Sequence, residues 1–347
     1  MVTLGIDAHK RTHTVVAVDQ HGRQLATKTV GTNTKDHLGL LKWAEQFRDD
    51  EGLLWAVEDC RHLSRRLERD LLRSGQAIVR VPPKLMAHVR DSARTYGKSD
   101  PIDALAVARA AQREPDLAVA RLDGPDRDLR LLCDHRESLV NDRTRVICRL
   151  RWFLHELDPS WEPKARSLDR VRALQRVTDH ITGLEGTVAR LAHELIDQAI
   201  TLTVKINELT VEITELASGM APALLAIPGC GALTAAKILG ETAGIDRFKS
   251  NNAYARHNGT APMPVWSSNK ARHRLSRTGN RQLNTALHRM ALTQARWHPP
   301  AKAMIERRKA GGNSGREALR VLKRRLSDVV YAALQQDLAV NHQLLAA

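Results

Sequence analysis

The sequence predicts an α/β domain with a mixed sheet, then a long helical region, then an all-α C-terminal domain. Three observations predict it. Residues 2–30 form three short segments of β-branched and small residues joined by polar turns, the pattern of a meander. Apolar runs then alternate with helical stretches as far as Glu114, the order that builds a sheet flanked by helices. From about Asp126 onward apolar residues recur mostly at three- and four-residue steps, the period of a helix.

Taken in order, TLGIDAH is the first strand, THTVVAVD the second, and QLATKTVG the third after the turn Gln20-His21-Gly22-Arg23. Thr34 to Phe47 reads as a helix, LLWAVED as a buried strand ending in acid, the stretch through Leu63 and Leu72 as a helix, and QAIVRVPP as a further strand. A helix, DALAVARAAQR, follows Pro101 and stops near Glu114-Pro115, because proline restricts the residue before it. Asp126 to Ser218 is nearly all helix, broken around Asp158-Pro159 and Glu162-Pro163. Within it Val188, Leu191, Leu195, Leu202, Ile206, Leu209, Ile213 and Leu216 suit a coiled coil or long helical hairpin. An apolar stripe feeding an intramolecular bundle fits them equally, and only the coiled coil implies self-association. Leu224 to about Leu334 is helical with basic loops. In LLAIPGCGALTAAKILGETAG, Gly229 and Gly231 free the backbone for a tight turn, which suits a helix-hairpin-helix element or plain close packing. The expected divisions are 1–122, 123–220 and 221–347.

Composition narrows the function. Lys and Arg number 54 against 39 Asp and Glu, a net charge of +15, which favours a polyanionic partner. Aromatic residues make up only 3%, so base stacking on aromatic platforms is disfavoured and contacts to backbone phosphate fit better. Cys60, Cys133, Cys148 and Cys230 lack metal-ligand spacing, which argues against zinc and for a reduced, cytoplasmic protein. The opening MVTLGIDAHKR reaches charge at Asp7, unlike a signal peptide, and no apolar run is long enough to span a membrane.

Two constellations carry chemistry. Asp7 lies in the first strand, Glu58 ends the strand LLWAVED, and Asp100 and Asp103 flank a loop-to-helix junction in KSDPIDA. The i, i+3 spacing sets that last pair on one helix face, where they serve either as helix-start acids or as metal ligands. Phosphodiester cleavage needs charge stabilised on the attacking and leaving oxygens, which two Mg²⁺ ions about 4 Å apart accomplish with oxygen ligands. Asp59 is an adjacent competitor of Glu58, and strand alternation allows only one of them to face the others. The second constellation is GTAPMPVWSSNKARHRLSRTGNRQLN. Here Pro262 and Pro264 impose an extended entry, and Ser267 and Ser268 meet Lys270, Arg272, Arg274, Arg277 and Arg281. A hydroxyl among cations can attack a phosphate, or can simply donate a hydrogen bond to one.

GIDAHK, the acid ending VED and KSDPIDA together resemble the DEDD transposases of bacterial insertion sequences, the family that includes the pilin-gene inverting recombinases. The resemblance implies a RuvC-like N-terminal domain of RNase H type, with Asp7, Glu58, Asp100 and Asp103 as catalytic acids holding Mg²⁺. The family often follows its glutamate with Thr-Gly, where this chain has Asp59-Cys60-Arg61-His62. Leu225 to Met290 is similar to the family's C-terminal transposase domain, whose pattern runs proline, hydrophobic, proline, small, Ser-Ser-Gly-Lys and then a basic block. Ser267 corresponds to the nucleophilic serine, with Ser268 its rival. Trp266 and Asn269 replace the usual small residue and glycine. The tract Lys323-Arg324-Arg325 fits the family's last helix.

The resemblance implies cleavage and rejoining of DNA through a phosphoserine link, with Lys270, Arg272, Arg274, Arg277 and Arg281 on backbone phosphates. It also implies partners: element ends and target DNA, a structured noncoding guide RNA, and copies of the chain acting as dimers that pair into tetramers. Acids and serine belong to different domains, so a composite site is required. Two rivals stand beside this reading. One is a RuvC-like nuclease that hydrolyses branched DNA with water; the other is a non-catalytic binding module.

Overall fold

A computed structural model describes residues 1–59, 62–83, 85–86, 99–114, 117–267, 270–275 and 279–346. They form two compact units, Met1–Gly124 and Pro125–Ala347. The helices between residues 125 and 220 fall in the second of these units.

The first unit is built on a six-stranded sheet. Its strands are β1 (Val2–Ala8), β2 (Thr12–Val18), β3 (Gln24–Gly31), β4 (Leu53–Glu58), β5 (Ala77–Val81) and the short β6 (Ala118–Val119), in the order β3-β2-β1-β4-β5-β6. The three strands of the meander pair antiparallel, while β4 adds parallel to β1 and β5 parallel to β4. Strands β1 and β4 therefore lie inside the sheet and carry few exposed residues, whereas β3, an edge, is half exposed.

Helices cover both faces. Leu4, Ile6, Val15, Ala17, Trp55, Val57 and Ile78 pack on one face against α1 (Thr34–Ala44) and α2 (Arg65–Arg73) through Leu40, Leu67 and Leu71. The other parity meets α3 (Asp100–Arg113), through Ala56 against Ala106 and Val107, and through Val16 and Val18 against Ala104 and Ala108. Gly5 allows a close approach here. A Cβ at this position would stand 2.1 Å from the Ala104 carbonyl oxygen and 2.7 Å from the Ala108 Cβ.

The second unit opens with two long helices, α4 (Pro125–Leu157) and α6 (Thr187–Met220), with α5 (Val171–Ile181) between them. Arg136 donates to Thr210 and Arg143 to Thr203, so seven residues forward on α4 is seven back on α6: the pair is antiparallel and within one chain. The buried residues of α6 include Leu195, Ile206 and Ile213 of the expected stripe together with Ala192, Ile196, Ala199, Thr203 and Ala217, while Leu202 and Leu209 are half-buried and Leu216 is exposed. The small residues on this face let two helix backbones approach.

Beyond lie α7 (Pro222–Leu225), α8 (Ala232–Thr242), α9 (Asn251–His257), α10 (Arg281–Trp297), α11 (Pro299–Ala310) and α12 (Gly315–Ala346) around a core of Leu224, Ile238, Tyr254, Leu283, Leu287, Met290 and Val330. In the Gly-rich turn, Gly229 has φ +83°, and a Cβ there would press on Thr293 and the Met290 carbonyl. The hairpin β7 (Pro262–Ser267) and β8 (Lys270–Leu275) interrupts this helical region. Pro262 and Pro264, two residues apart, bar helix and leave an extended segment with a partner. The mixed sheet and helical remainder are the fold class predicted from sequence. Among the described residues no helix is long and apolar enough to cross a membrane.

Candidate active site

The sheet register gathers the first-unit acids. Strands β1 and β4 pair from Val2 opposite Leu53 to Ile6 opposite Val57. One step further sets Asp7 beside Glu58, and neighbouring strands lie about 4.8 Å apart. Asp7 and Glu58 share parity with Gly5 and Ala56, the parity that meets α3. Asp59 has the opposite parity and is exposed, whereas Glu58 is half-buried. Alternation therefore favours Glu58 over its neighbour.

Helix α3 brings the other two. Its first residue is Asp100, Pro101 follows at a position where a missing N–H costs nothing, and Asp103 comes one turn later. Asp103 is buried and Asp100 exposed. Asp7 is buried near the end of β1, and burial pushes its carboxyl above the usual carboxylate range. His9 pulls it back, and the like charges of Asp103 and Asp100 push it up again. Asp7, Asp100 and Asp103 thus stand close enough to feel one another.

Sequence reasoning missed His9. Its Nε2 lies 2.9 Å from Asp7 Oδ2 and 3.3 Å from Asp100 Oδ1. One ligand atom from each of Asp7, His9 and Asp100 falls within 4.8 Å of the others. The signal was present in GIDAHK: two residues past Asp7 is the same strand parity. A divalent cation fits this donor set. Carboxylate oxygens are its preferred ligands, and a cation would oppose both effects that disfavour Asp7 ionisation.

The serine constellation lies in the second unit. In the hairpin Ser267 pairs with Lys270, Val265 with Arg272 and Met263 with Arg274. Ser268 and Arg277 lie outside the described residues. Arg281 is exposed as the first residue of α10, whose N-terminus is capped by the Asn280 side chain.

The base of the hairpin is held by a polar network that the sequence reading did not anticipate. A Cβ on Gly279 would stand 2.3 Å from the Gly259 nitrogen, so the two ends of the segment touch backbone to backbone. Asn284 donates to the carbonyls of Asn258 and Gly259, and its own Oδ1 accepts from Lys323. Asn280 donates to Glu241, and Asn258 to Ser327. Lys323, expected as part of a basic tract, is buried here, and burial lowers its ammonium pKa to about 8.

Comparison with known proteins gives consistent matches. Residues 4–159 match the family model DEDD_Tnp_IS110, described as a transposase, and residues 221–306 match the model of the transposase IS116/IS110/IS902 family. An uncharacterized 44.8 kDa protein of insertion element IS116 from Streptomyces clavuligerus is 28% identical over 96% of this chain and 94% of its own length. An uncharacterized 42 kDa protein of insertion element IS900 from Mycobacterium paratuberculosis is 26% identical over 98% of this chain and 97% of its own. Among solved structures, T. thermophilus RuvC in complex with Holliday junction substrate aligns at 17% identity and a TM-score of 0.27, covering 35% of this chain and 99% of RuvC.

Proposed function

The chain belongs to the IS116/IS110/IS902 family of transposases, and on that premise we propose that it cleaves and rejoins DNA strands through the Ser267 hydroxyl, with Mg²⁺ held by Asp7, Glu58, Asp100 and Asp103. The observation that carries this reading is the gathering of acids from separate elements on one side of the sheet. Asp100 and Asp103 perturb the ionisation of Asp7, and the register runs Glu58 alongside it.

Bound at these acids, the metal supplies charge neutralisation at the phosphate oxygens. Ser267 Oγ forms a bond to phosphorus, the bond from phosphorus to one deoxyribose oxygen breaks, and that oxygen leaves with a proton. The phosphoserine ester keeps the bond energy for rejoining, when a deoxyribose hydroxyl displaces the serine. Lys270, Arg272, Arg274, Arg277 and Arg281 hold backbone phosphates in register.

The partners in this reading are element-end and target DNA, a noncoding guide RNA, and further copies of the chain, as a dimer and a tetramer in the active complex. The net charge of +15 supports polyanion binding. Val204 and Val211, exposed and seven residues apart on α6, support self-association. The work is cytoplasmic.

The test is incubation with the element's own ends, its RNA and Mg²⁺. The expected outcome is a covalent protein–DNA adduct that disappears in Ser267→Ala and persists in Ser268→Ala. Undiminished cleavage by Ser267→Ala would assign the attack to water and overturn the serine mechanism.

A further inference from the structure

We propose that His9 Nε2 is a direct ligand of the metal that Asp7 and Asp100 hold, making this centre a mixed oxygen–nitrogen site that discriminates between Mn²⁺ and Mg²⁺. The inference rests on the acid-centre reading above and adds to it a residue outside the four acids.

The geometry is specific. His9 follows the last residue of β1, and its backbone N–H donates to the Thr12 carbonyl, which closes the tight turn into β2. That bond fixes where the residue sits, at the same parity as Asp7. The imidazole reaches Asp7 Oδ2 at 2.9 Å and Asp100 Oδ1 at 3.3 Å with one and the same nitrogen. An imidazole nitrogen carries at most one hydrogen, so hydrogen bonding satisfies one of these oxygens and leaves the other merely adjacent. An ion bound at about 2.1 Å to each ligand requires neighbouring ligand atoms about 3 Å apart. Both spacings meet that requirement as they stand, and the two carboxylates come from different elements. His9 is half exposed beside a buried Asp7.

The chemistry sets the preference. Mg²⁺ takes oxygen and dehydrates reluctantly; Mn²⁺ also favours oxygen but, as a larger and softer transition-metal dication, tolerates a nitrogen ligand better. Loss of the nitrogen therefore weakens Mn²⁺ more than Mg²⁺.

The experiment titrates the full-length protein with Mn²⁺ alone and reads pulsed electron paramagnetic resonance for coupling to a directly bound nitrogen. Wild type is expected to show that coupling. His9→Ala is expected to lose it, with Mn²⁺ affinity falling at least about tenfold and Mg²⁺ affinity, measured by competition, falling less. His9→Asp restores affinity through an oxygen and shows no nitrogen coupling, which separates ligation from loss of fold. Bound Mn²⁺ without nitrogen coupling in wild type overturns the proposal, as does equal or tighter Mn²⁺ binding by His9→Ala. Asp7→Asn separates the two levels. If Asp7→Asn abolishes Mn²⁺ binding and wild type shows no nitrogen coupling, the acid centre stands and His9 falls. If Asp7→Asn binds Mn²⁺ like wild type, both fall.

Discussion

At the residue scale the candidate acids were proposed from the sequence, and the residues around them were not. Asp7, Glu58, Asp100 and Asp103 were singled out by their places in a strand, at a strand end and at a helix start, and by the family resemblance of the segments that hold them. Gly5 acts by lacking a side chain, and His9 resembles any turn residue unless its two-residue step from Asp7 is counted. Lys323 misleads for a geometric reason: consecutive helix residues turn 100° apart, so one member of a three-cation tract can face inward. Two predictions belong here. Gly5→Ala drives a methyl into α3 and destabilises the first unit by about 1–3 kcal/mol, and it weakens metal affinity because α3 carries Asp100 and Asp103. Calorimetry with and without Mg²⁺ checks this; an unchanged Tm and metal shift contradict it. His13 is buried beside His37, and burial lowers its pKa from 6.5 to about 4. The unfolded chain therefore binds more protons between those values, and stability is full above pH 6.5 and falls on acidification towards 4, by on the order of 3 kcal/mol. Denaturant midpoints at pH 7.5 and 5 read the slope, and His13→Val is expected to flatten it.

At the element scale, short runs of β-branched and small residues located the three strands of the meander, and apolar runs the two strands that follow. The register, which the sequence does not spell out, is what runs Asp7 alongside Glu58. The long helices were legible as helices, and their buried face in part: Leu195, Ile206 and Ile213 lie on it, but so do Ala192, Ala199, Thr203 and Ala217, small residues that a count of large apolar side chains passes over. The hairpin was hidden because two prolines argue against a strand until a partner is known. Its mooring yields the prediction of this scale. Asn284→Ala removes the acceptor of a buried ammonium and the donor to two carbonyls, a loss of about 2–3 kcal/mol. Adduct formation through Ser267 is expected to fall further than folded fraction does, since the hairpin loses its anchor. Asn284→Asp, which keeps the acceptor, is expected to recover stability more than adduct yield. Equal losses in both readouts would reduce the network to a packing feature.

At the scale of the whole molecule, charge and composition pointed to phosphate contact from the outset, and the family matches agree with that direction. Binding to element DNA is expected to weaken linearly in log–log dependence on salt, and Arg281→Ala to reduce the slope by about 1. A salt-independent affinity would contradict the electrostatic reading. The proposed reaction draws its acids from the first unit and its serine from the second. Its most direct test replaces Mg²⁺ with Fe²⁺ in the assembled complex with element DNA and guide RNA, adds ascorbate and peroxide, and maps where the polypeptide is cut by radicals released at the metal. The account predicts cuts near residues 7, 58 and 100–103 and, in the DNA-bound assembly alone, near Ser267. Cuts confined to the first unit, with none around Ser267 in an assembly that is actively joining DNA, would contradict it.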